Sequence, residues 1–249
     1  MKLIFLMTAC FVGAFVDAIA GGGGLITLPA YIISGIPTHQ ALGTNKFSSS
    51  WGTLLASAKF AKEKKIDFAL IKYLLPMALL GAVLGVRAVL LVDSQVLAPL
   101  VMIVILLVGI YTLFSKTVGK ENLYRGADRH AKMWGMVLVF IIGFYDGFFG
   151  PGTGTFLVFS FMKLFKFDFL HANSNAKPVN LVSNVASQVV FALNGKILFL
   201  YGLPIAAAMM LGGYLGAKTS IKNGTKIIKP LFVIMSLGAS LKLFWQYFM

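Results

Sequence analysis

The sequence predicts an all-α polytopic membrane protein made of two inverted repeats of five hydrophobic segments, which gives eight to ten transmembrane helices. Hydrophobic residues make up 58% of the 249 residues, and charged residues 12%, about half their share in a soluble domain. An Asp–glycine motif interrupts the apolar sequence twice, at corresponding places in the two halves. Because Gly and Pro destabilise a helix interior, we expect broken or re-entrant helices at both motifs.

The first half, residues 1–115, forms the first predicted transmembrane repeat. Its second segment has about 12 residues, which span about 18 Å as a helix, against about 30 Å of hydrocarbon. We therefore expect a half-helix or a re-entrant arm packed inside protein. Lys2 and the apolar run after it are also typical of a signal peptide, but the segment has a counterpart near 136–150, where none can occur. The five segments are residues 3–20, 25–36, 43–61, 68–92 and 96–115.

The second half, residues 133–249, repeats the pattern after a polar connecting loop at 116–132. Residues 41–85 and 172–216 align with eleven identities in 45 positions, whereas about three or four are expected by chance in so biased a composition. The sequence therefore indicates a duplication. The five segments of this second repeat are residues 133–149, 153–162, 176–194, 198–217 and 227–248.

The distribution of Lys and Arg indicates that the second half enters the membrane upside down. Each half has an odd number of crossings, whether it is counted as five segments or as three full crossings plus a re-entrant pair. In this arrangement 17 basic residues lie on one side and five on the other. The positive-inside rule assigns the richer side, with the connecting loop, to the cytoplasm. We therefore expect both termini outside the cytoplasm.

Asp17 and Asp146 lie inside apolar segments, where an ionised carboxylate is costly unless it is paired, hydrated or protonated. One hypothesis is that they take up and release a proton that drives transport. The alternative is that each Asp braces the broken backbone by accepting hydrogen bonds from N–H groups freed by the glycines. Both interpretations remain open, and both can hold together.

The glycine motifs are expected to expose the N–H groups at the start of a helix near the bilayer centre. The positive end of a helix dipole favours an anion, so we predict that a small anion binds there. The alternative is close helix packing by small residues, which explains the G-x-x-x-G spacing at 81–85 and 212–216. The predicted anion-binding residues in the breaks are Gly21, Gly22, Gly23, Gly24, Gly150, Gly152 and Thr153.

A polar stretch begins the third segment of each half and adds further candidates. Lys46 and Lys177 occupy matching positions, where they can neutralise an anion or pair with an Asp; the alternative is a lysine that snorkels to the membrane interface. Asn180 and Asn184, spaced i and i+4, predict a helical face that avoids lipid. The predicted anion-binding residues of these stretches are Asn45, Lys46, Asn175, Lys177, Asn180 and Asn184.

The composition gives no support for a metal or any other cofactor. One Cys excludes an internal disulfide, and three scattered His have no metal-ligand spacing. The net charge of +14 arises in short loops between apolar runs, so it indicates topology rather than nucleic-acid binding. The expected partners are a small anionic substrate and membrane lipid, and the sequence leaves the oligomeric state open, a homo-oligomer included.

These motifs resemble the sulfite exporter TauE/SafE family of membrane permeases, and within it the YfcA-like members. The resemblance covers nearly the whole chain. It rests on Asp-Gly-Phe-Phe-Gly-Pro-Gly-Thr-Gly at 146–154, on 17–24 followed by Leu-Ile-Thr-Leu-Pro at 25–29, and on Gly-Thr-Asn-Lys at 43–46. It implies a multi-pass permease of the bacterial inner (plasma) membrane for small sulfur-containing or organic anions such as sulfite or a sulfonate, with proton coupling. The family name does not specify the substrate.

We therefore expect a secondary transporter, not an enzyme, that carries a small anion by alternating access. The anion would bind the glycine-motif amides with help from Lys46 and Lys177, while Asp17 or Asp146 takes up and releases a proton. The alternatives are an anion channel, a non-transporting membrane subunit and an intramembrane aspartyl enzyme whose two carboxylates share a proton.

Overall fold

Nine α-helices make up the part of the chain that the computed structural model describes, residues 1–114 and 121–223. No strand occurs within these ranges, as the all-α class requires. The predicted segment at 227–248 lies outside the described residues. The helices are α1 (Lys2–Ala20), α2 (Gly24–Ile33), α3 (Thr38–Lys62), α4 (Phe68–Leu90), α5 (Ser94–Phe114), α6 (Arg129–Phe148), α7 (Thr153–Phe165), α8 (Phe169–Leu193) and α9 (Phe199–Asn223).

Four of the described helices, α1, α4, α6 and α9, are long and apolar enough to cross a membrane. The helices α2 and α7 are apolar but have only 10 and 13 residues, whereas a crossing needs about 20. The predicted short second segment of each half is therefore confirmed. The helices α3 and α8 have 25 residues each and carry buried polar side chains along their lengths. How many of these helices cross the membrane stays a prediction.

Backbone breaks occur at both glycine motifs, as the sequence predicts. The helix α1 ends where Gly21 adopts a left-handed φ of 85°, and α2 begins at Gly24. In the second half, Gly150 and Gly152 have φ values of 91° and 82° between the end of α6 and the start of α7. Side chains of L-residues rarely tolerate such φ values, so these three turns require glycine.

The helices α3 and α8 begin five and seven residues before the predicted segments, at Thr38 and Phe169. Hydropathy misplaced both starts because the first turns of these helices are polar. In α8, Asp168 caps the start by accepting from His171 N at 2.7 Å. Lys46 and Lys177 lie two turns or more inside these helices and are buried, with exposures of 3% and 1%. The interpretation of these lysines as snorkelling side chains is therefore wrong.

Two apolar clusters lie at opposite ends of α3 and α8. The first cluster contains the start of α3 and the end of α8, and the second contains the end of α3 and the start of α8. The helices α1 and α6 also run in opposite directions between the clusters. The buried polar residues of α3 and α8 therefore form a layer between them. Members include Leu6, Leu28, Tyr31, Leu97 and Phe191 in the first cluster, and Phe60, Leu74, Phe161, Phe165 and Phe169 in the second.

Glycines bring helices of the two halves into backbone contact. In α4, a Cβ on Gly85 would lie 2.1 Å from the carbonyl oxygen of Phe144 in α6. In α9, a Cβ on Gly216 would lie 2.2 Å from the carbonyl oxygen of Phe15 in α1. The interpretation of the G-x-x-x-G spacing as close helix packing is therefore confirmed. The same approach recurs one turn earlier, at Gly81 and Gly212.

The residues before α6 dock onto the connections α3–α4 and α7–α8. The hydroxyl of Tyr124 donates to Asp67 Oδ2 at 2.7 Å, and Leu123 N donates to Lys166 O at 3.0 Å. Burial, together with the hydrogen bond to Asp67, raises the pKa of Tyr124 to about 12. Its hydroxyl therefore stays a hydrogen-bond donor at neutral pH, and this connection closes the end of the bundle next to the second apolar cluster.

Replacing Gly85 by Ala will destabilise the protein, because the added methyl group meets a backbone carbonyl that cannot rotate away. We expect a loss of about 1 to 3 kcal/mol, measured as a lower midpoint of thermal unfolding in detergent. Leu84→Ala is the matched control, since Leu84 is 45% exposed on the same helix, and it should shift the midpoint little. Unchanged stability of Gly85→Ala would contradict the close packing of α4 against α6.

Candidate functional site

A buried lysine–aspartate pair joins α3 to α6 at the centre of the polar layer. Lys46 Nζ lies 2.7 Å from Asp146 Oδ1 and donates to Asn184 Oδ1 of α8 at 3.2 Å. Ser183 Oγ donates to Asp146 Oδ2 at 2.6 Å, so both carboxylate oxygens have a partner. Since removing one member would leave the other charge buried and unpaired, the contact fixes α3 against α6 and α8.

A second pair, on α8 and α1, matches the first. Lys177 Nζ lies 2.7 Å from Asp17 Oδ2 and also donates to the carbonyl oxygen of Asp17. The other carboxylate oxygen, Oδ1, accepts from Gly23 N at 3.3 Å. Each lysine therefore pairs with the aspartate of the other half. Asp17 also braces the broken backbone, as one of the two hypotheses for the aspartates expects.

The two aspartates differ in their exposure to solvent. The Asp146 side chain is 2% exposed, while the Asp17 side chain is 21% exposed. Asp146 is enclosed by Lys46, Ser183 and the helices that carry them. Asp17 is therefore the carboxylate that solvent reaches, although its lysine partner is fully buried.

The two helix breaks touch each other beside these pairs. Thr155 N in α7 donates to the carbonyl oxygen of Gly21 at 3.1 Å, and a Cβ on Gly154 would lie 2.4 Å from that same oxygen. Within the described ranges, the N–H groups of Gly24 and Gly154 have no hydrogen-bond partner. They lie at the starts of α2 and α7, where helix dipoles favour negative charge.

A cavity lies between the two breaks and the polar faces of α3 and α8, and twelve of the fifteen predicted site residues line it. It brings together both carboxylates, one lysine, three asparagines and the starts of both broken helices. The residues at the cavity are Asp17, Gly21, Gly23, Gly24, Asn45, Lys46, Asp146, Gly150, Gly152, Thr153, Asn180 and Asn184. The other three, Gly22, Asn175 and Lys177, do not line it.

Asn175, which the sequence analysis assigned to anion binding, instead connects two helices. Its Oδ1 accepts from Asp67 N at 2.8 Å, before the start of α4. A residue two positions before Lys177 lies about 200° around the helix, so Asn175 points away from the pair. Thr44, 131 residues earlier in the chain, accepts from Leu198 N at 3.0 Å before the start of α9. The two residues therefore make matching connections in the two halves.

Several polar residues that sequence reasoning left out of the site take part in it, and Ser49 and Thr53 of α3 also line the cavity. Ser183 holds Asp146, as described above. Asn173 Nδ2 donates to Ala18 O at 2.8 Å and thereby satisfies the end of α1. Thr27 of α2 lines the cavity. Ser183 lies on the same helical face as Asn180, and this position could have indicated its role. A single Thr in a short apolar helix, such as Thr27, gives no such signal.

The groups around the cavity can bind an anion and exchange a proton. Lys46, the free N–H groups and the asparagine amides supply positive charge and hydrogen-bond donors, and Asp17 supplies a solvent-accessible carboxylate. Across residues 1–114 and 121–223, no group of three or more His, Cys, Asp or Glu could hold a metal ion.

Replacing Lys177 by Met will destabilise the protein, because the carboxylate of Asp17 then has no counter-charge. We expect a loss of about 3 kcal/mol, detected as a lower midpoint of thermal unfolding. The double variant Lys177→Met/Asp17→Asn should recover much of this loss, since an amide needs no counter-charge. Equal losses in the single and the double variant would contradict an ion pair between these residues.

The chain is similar over nearly its full length to bacterial membrane proteins. It matches the family model described as Sulfite exporter TauE/SafE over residues 5–243. It is 37% identical over 244 residues to a probable membrane transporter protein of Haemophilus influenzae, covering 98% of this chain and 95% of the relative. It is 38% identical over 248 residues to a probable membrane transporter protein of a Sinorhizobium species, covering 97% and 92%.

A third relative is the probable membrane transporter protein YfcA of Escherichia coli, which is 33% identical over 245 residues, or 97% of this chain and 89% of the relative. No solved structure matches the chain.

Proposed function

The chain belongs to the TauE/SafE sulfite exporter family, whose members similar to it are named as probable membrane transporters, and from this premise we propose that it is a secondary transporter for a small anion. The substrate class is a sulfur-containing or organic anion such as sulfite or a sulfonate. Transport is coupled to a proton and proceeds by alternating access around the cavity.

One observation carries this proposal, namely that donors from both halves converge on a single cavity. Lys46 supplies a positive charge, Gly24 and Gly154 supply N–H groups at the starts of two helices, and Asn180 and Asn184 supply amides. A small anion in this cavity would satisfy the N–H groups of Gly24 and Gly154, which no protein group satisfies in the described part of the chain.

The lysine–aspartate pairs suggest how anion binding would drive a conformational change. An anion near Lys46 competes with Asp146 for the same ammonium group, which lies 2.7 Å from the carboxylate. Loosening that contact loosens the link between α3 and α6, which belong to different halves of the chain. The halves can then rock against each other, because a packed interface of this kind switches between discrete arrangements.

The two inverted repeats that we propose are supported by contacts that recur in both halves. Each lysine pairs with the aspartate of the other half. Residues 129 to 131 positions apart make equivalent contacts, such as Thr44 with Leu198 and Asn175 with Asp67. Corresponding helices also run in opposite directions between the two apolar clusters.

We propose that the end of the bundle next to the second apolar cluster faces the cytoplasm of a bacterial cell, and that the membrane is the inner membrane. The connections at 63–67, 121–128 and 166–168 lie at this end and carry several Lys and Arg. Lys46 and Lys177 belong to the ion pairs, so they are left out when basic residues on the two sides of the membrane are compared. The remaining asymmetry favours this orientation, in which the N-terminus would lie outside the cytoplasm.

The pairing of the aspartates favours a transporter over an intramembrane aspartyl enzyme. A catalytic dyad requires two carboxylates that share one proton. Here Asp17 and Asp146 each contact a lysine instead. A protease assay on the purified protein, with Asp146→Asn alongside, tests this alternative directly.

Removing the charge of Lys46 will weaken anion binding. We expect Lys46→Ala to lose about 1.5 to 3 kcal/mol of binding free energy, the contribution of a hydrogen bond to a charged group. The measurement is a thermal-shift titration in detergent with sulfite, sulfate, thiosulfate, taurine, sulfoacetate and short carboxylates. An anion at 100 times its dissociation constant should stabilise the wild type by about 2.7 kcal/mol.

Lys59→Ala is the matched control for this titration, because Lys59 lies on the same helix and pairs with Glu63 at its exposed end. It should bind like the wild type. If no anion stabilises the wild type, the proposed substrate class is wrong. A transport assay separates a proton-coupled carrier from an anion channel. Saturable uptake into proteoliposomes that a protonophore abolishes indicates the carrier, whereas a channel needs no proton.

Asp17→Asn will remove the pH dependence of transport, because Asp17 is the carboxylate that solvent reaches. Anion flux into proteoliposomes, measured from pH 5 to 8, should become insensitive to pH. Both Asp17→Asn and Asp146→Asn should also reduce stability, since each leaves a buried lysine, Lys177 or Lys46, without a counter-charge. Loss of pH dependence in a stable Asp146→Asn protein, with normal pH dependence in Asp17→Asn, would assign the proton to Asp146.

A further inference from the structure

Thr27 is a buried polar residue that lines the cavity, but its hydroxyl has no role in the site described so far. It is 1% exposed, and its Oγ1 has no hydrogen-bond partner among the residues that the structure describes. Buried hydroxyl groups almost always have a partner, because leaving one unsatisfied is destabilising. This hydroxyl belongs to a residue that lines the central cavity.

The usual local partner for such a hydroxyl is not used. A Ser or Thr inside a helix commonly donates to the carbonyl oxygen four residues earlier. Ser50, Ser174 and Thr219 do so at 2.8, 2.7 and 2.8 Å. Thr27 does not, although Gly23 O is close enough to accept from the backbone N–H of Thr27 at 3.0 Å.

Packing against α1 accounts for the orientation of this side chain. A Cβ on Gly13 would lie 2.4 Å from Thr27 Cγ2, so the methyl group of Thr27 fills the space that glycine leaves. Gly13 and Thr27 both line the cavity. The methyl group of Thr27 is held against α1, so the hydroxyl, on the other branch of Cβ, points away from that contact.

The hydroxyl lies one turn from a free helix N-terminus. Gly24, three residues before Thr27 and therefore on the same face of α2, has an N–H group without a partner in the described ranges. Gly24 also lines the cavity, as do Asn45 and Lys46 of α3. Gly24 and Thr27, each with a donor that is unpaired among the described residues, thus line the same cavity as Lys46.

We propose that the Thr27 hydroxyl and the Gly24 N–H together form an oxyanion-binding half-site that holds the transported anion at the start of α2. This inference rests on the proposed function and adds to it the residue that binds the anion on the side of the first repeat. The ligand is a small anion whose oxygens accept both donors, with Lys46 near its charge.

The corresponding position in the other half lacks this donor. The residue 129 positions after Thr27 is Phe156, whose ring packs edge to face against Tyr145 with the centroids 5.4 Å apart. The start of α7 therefore supplies backbone N–H groups but no equivalent hydroxyl. The anion is held asymmetrically, on α2.

The test is isothermal titration of the purified full chain in detergent, with sulfite, sulfoacetate and acetate as probes. Thr27→Val keeps the shape of the side chain and removes the hydroxyl, so the dissociation constant of the bound probe should rise about tenfold to a hundredfold. The same variant should unfold at the same or a higher temperature without anion, because it removes an unpaired buried polar group. Thr27→Ser, which keeps the hydroxyl, should bind within about threefold of the wild type.

Thr155→Val is the matched control. Thr155 is also 1% exposed with an unpaired Oγ1, but it does not line the cavity. This variant should show the same thermal behaviour with an unchanged dissociation constant. Thr27→Ala provides a second protein without the hydroxyl in case Thr27→Val does not fold.

The outcomes separate this inference from the proposed function. If the wild type binds a probe and the Thr27 variants without hydroxyl bind it equally well, the half-site is wrong while the transporter proposal stands. Equal weakening by Thr155→Val would likewise overturn the half-site. If the wild type binds none of the probes, the proposed function fails and this inference fails with it.

Discussion

The contacts of two lysines with two aspartates hold the centre of this molecule together, in a layer that lies between two apolar clusters. A buried ammonium or carboxylate group without a partner is too costly to tolerate, so each of these four residues fixes the position of another helix. Because each lysine pairs with the aspartate of the other half, the ion pairs connect the two halves and do not connect helices within one half. The same glycine contacts that bring α4 to α6 and α9 to α1 make this arrangement sterically feasible.

A centre of this kind is suited to switching. An anion carries the charge of a carboxylate, so it can replace Asp146 at Lys46 without leaving the ammonium group unpaired. The new contact offsets the loss at the ammonium group, while Asp146 keeps only the hydrogen bond from Ser183 and needs a proton or another partner. The helix breaks contribute as well, since their glycines let α2 and α7 start at the cavity with N–H groups that no carbonyl of residues 1–114 or 121–223 occupies.

The differences between the two halves of the chain are concentrated in α1 and α2. Asp17 is the more exposed aspartate, and its Oδ1 accepts from Gly23 N immediately before the free N–H of Gly24. Thr27 presents its hydroxyl one turn further on. Protonation of Asp17 would weaken the hydrogen bond that its carboxylate accepts from Gly23 N. It would therefore change which N–H groups are available at the start of α2. In the proposed mechanism, the proton and the anion would therefore act on the same short helix, which would give a physical route for coupling them.

The sequence by itself determined the helical class, the two breaks and the short second segment of each half, because these follow from local hydropathy and from the backbone limits of Gly and Pro. It also singled out Asp17, Asp146 and the two lysines, because charge in an apolar segment is costly wherever it lies. Only the tertiary structure decided which lysine meets which aspartate, that Asn175 faces away from the cavity, and that the hydroxyl of a lone threonine on α2 is unpaired within the described part of the chain. Those facts depend on which helices pack together and at what rotation, and no local pattern encodes a contact between residues more than a hundred positions apart.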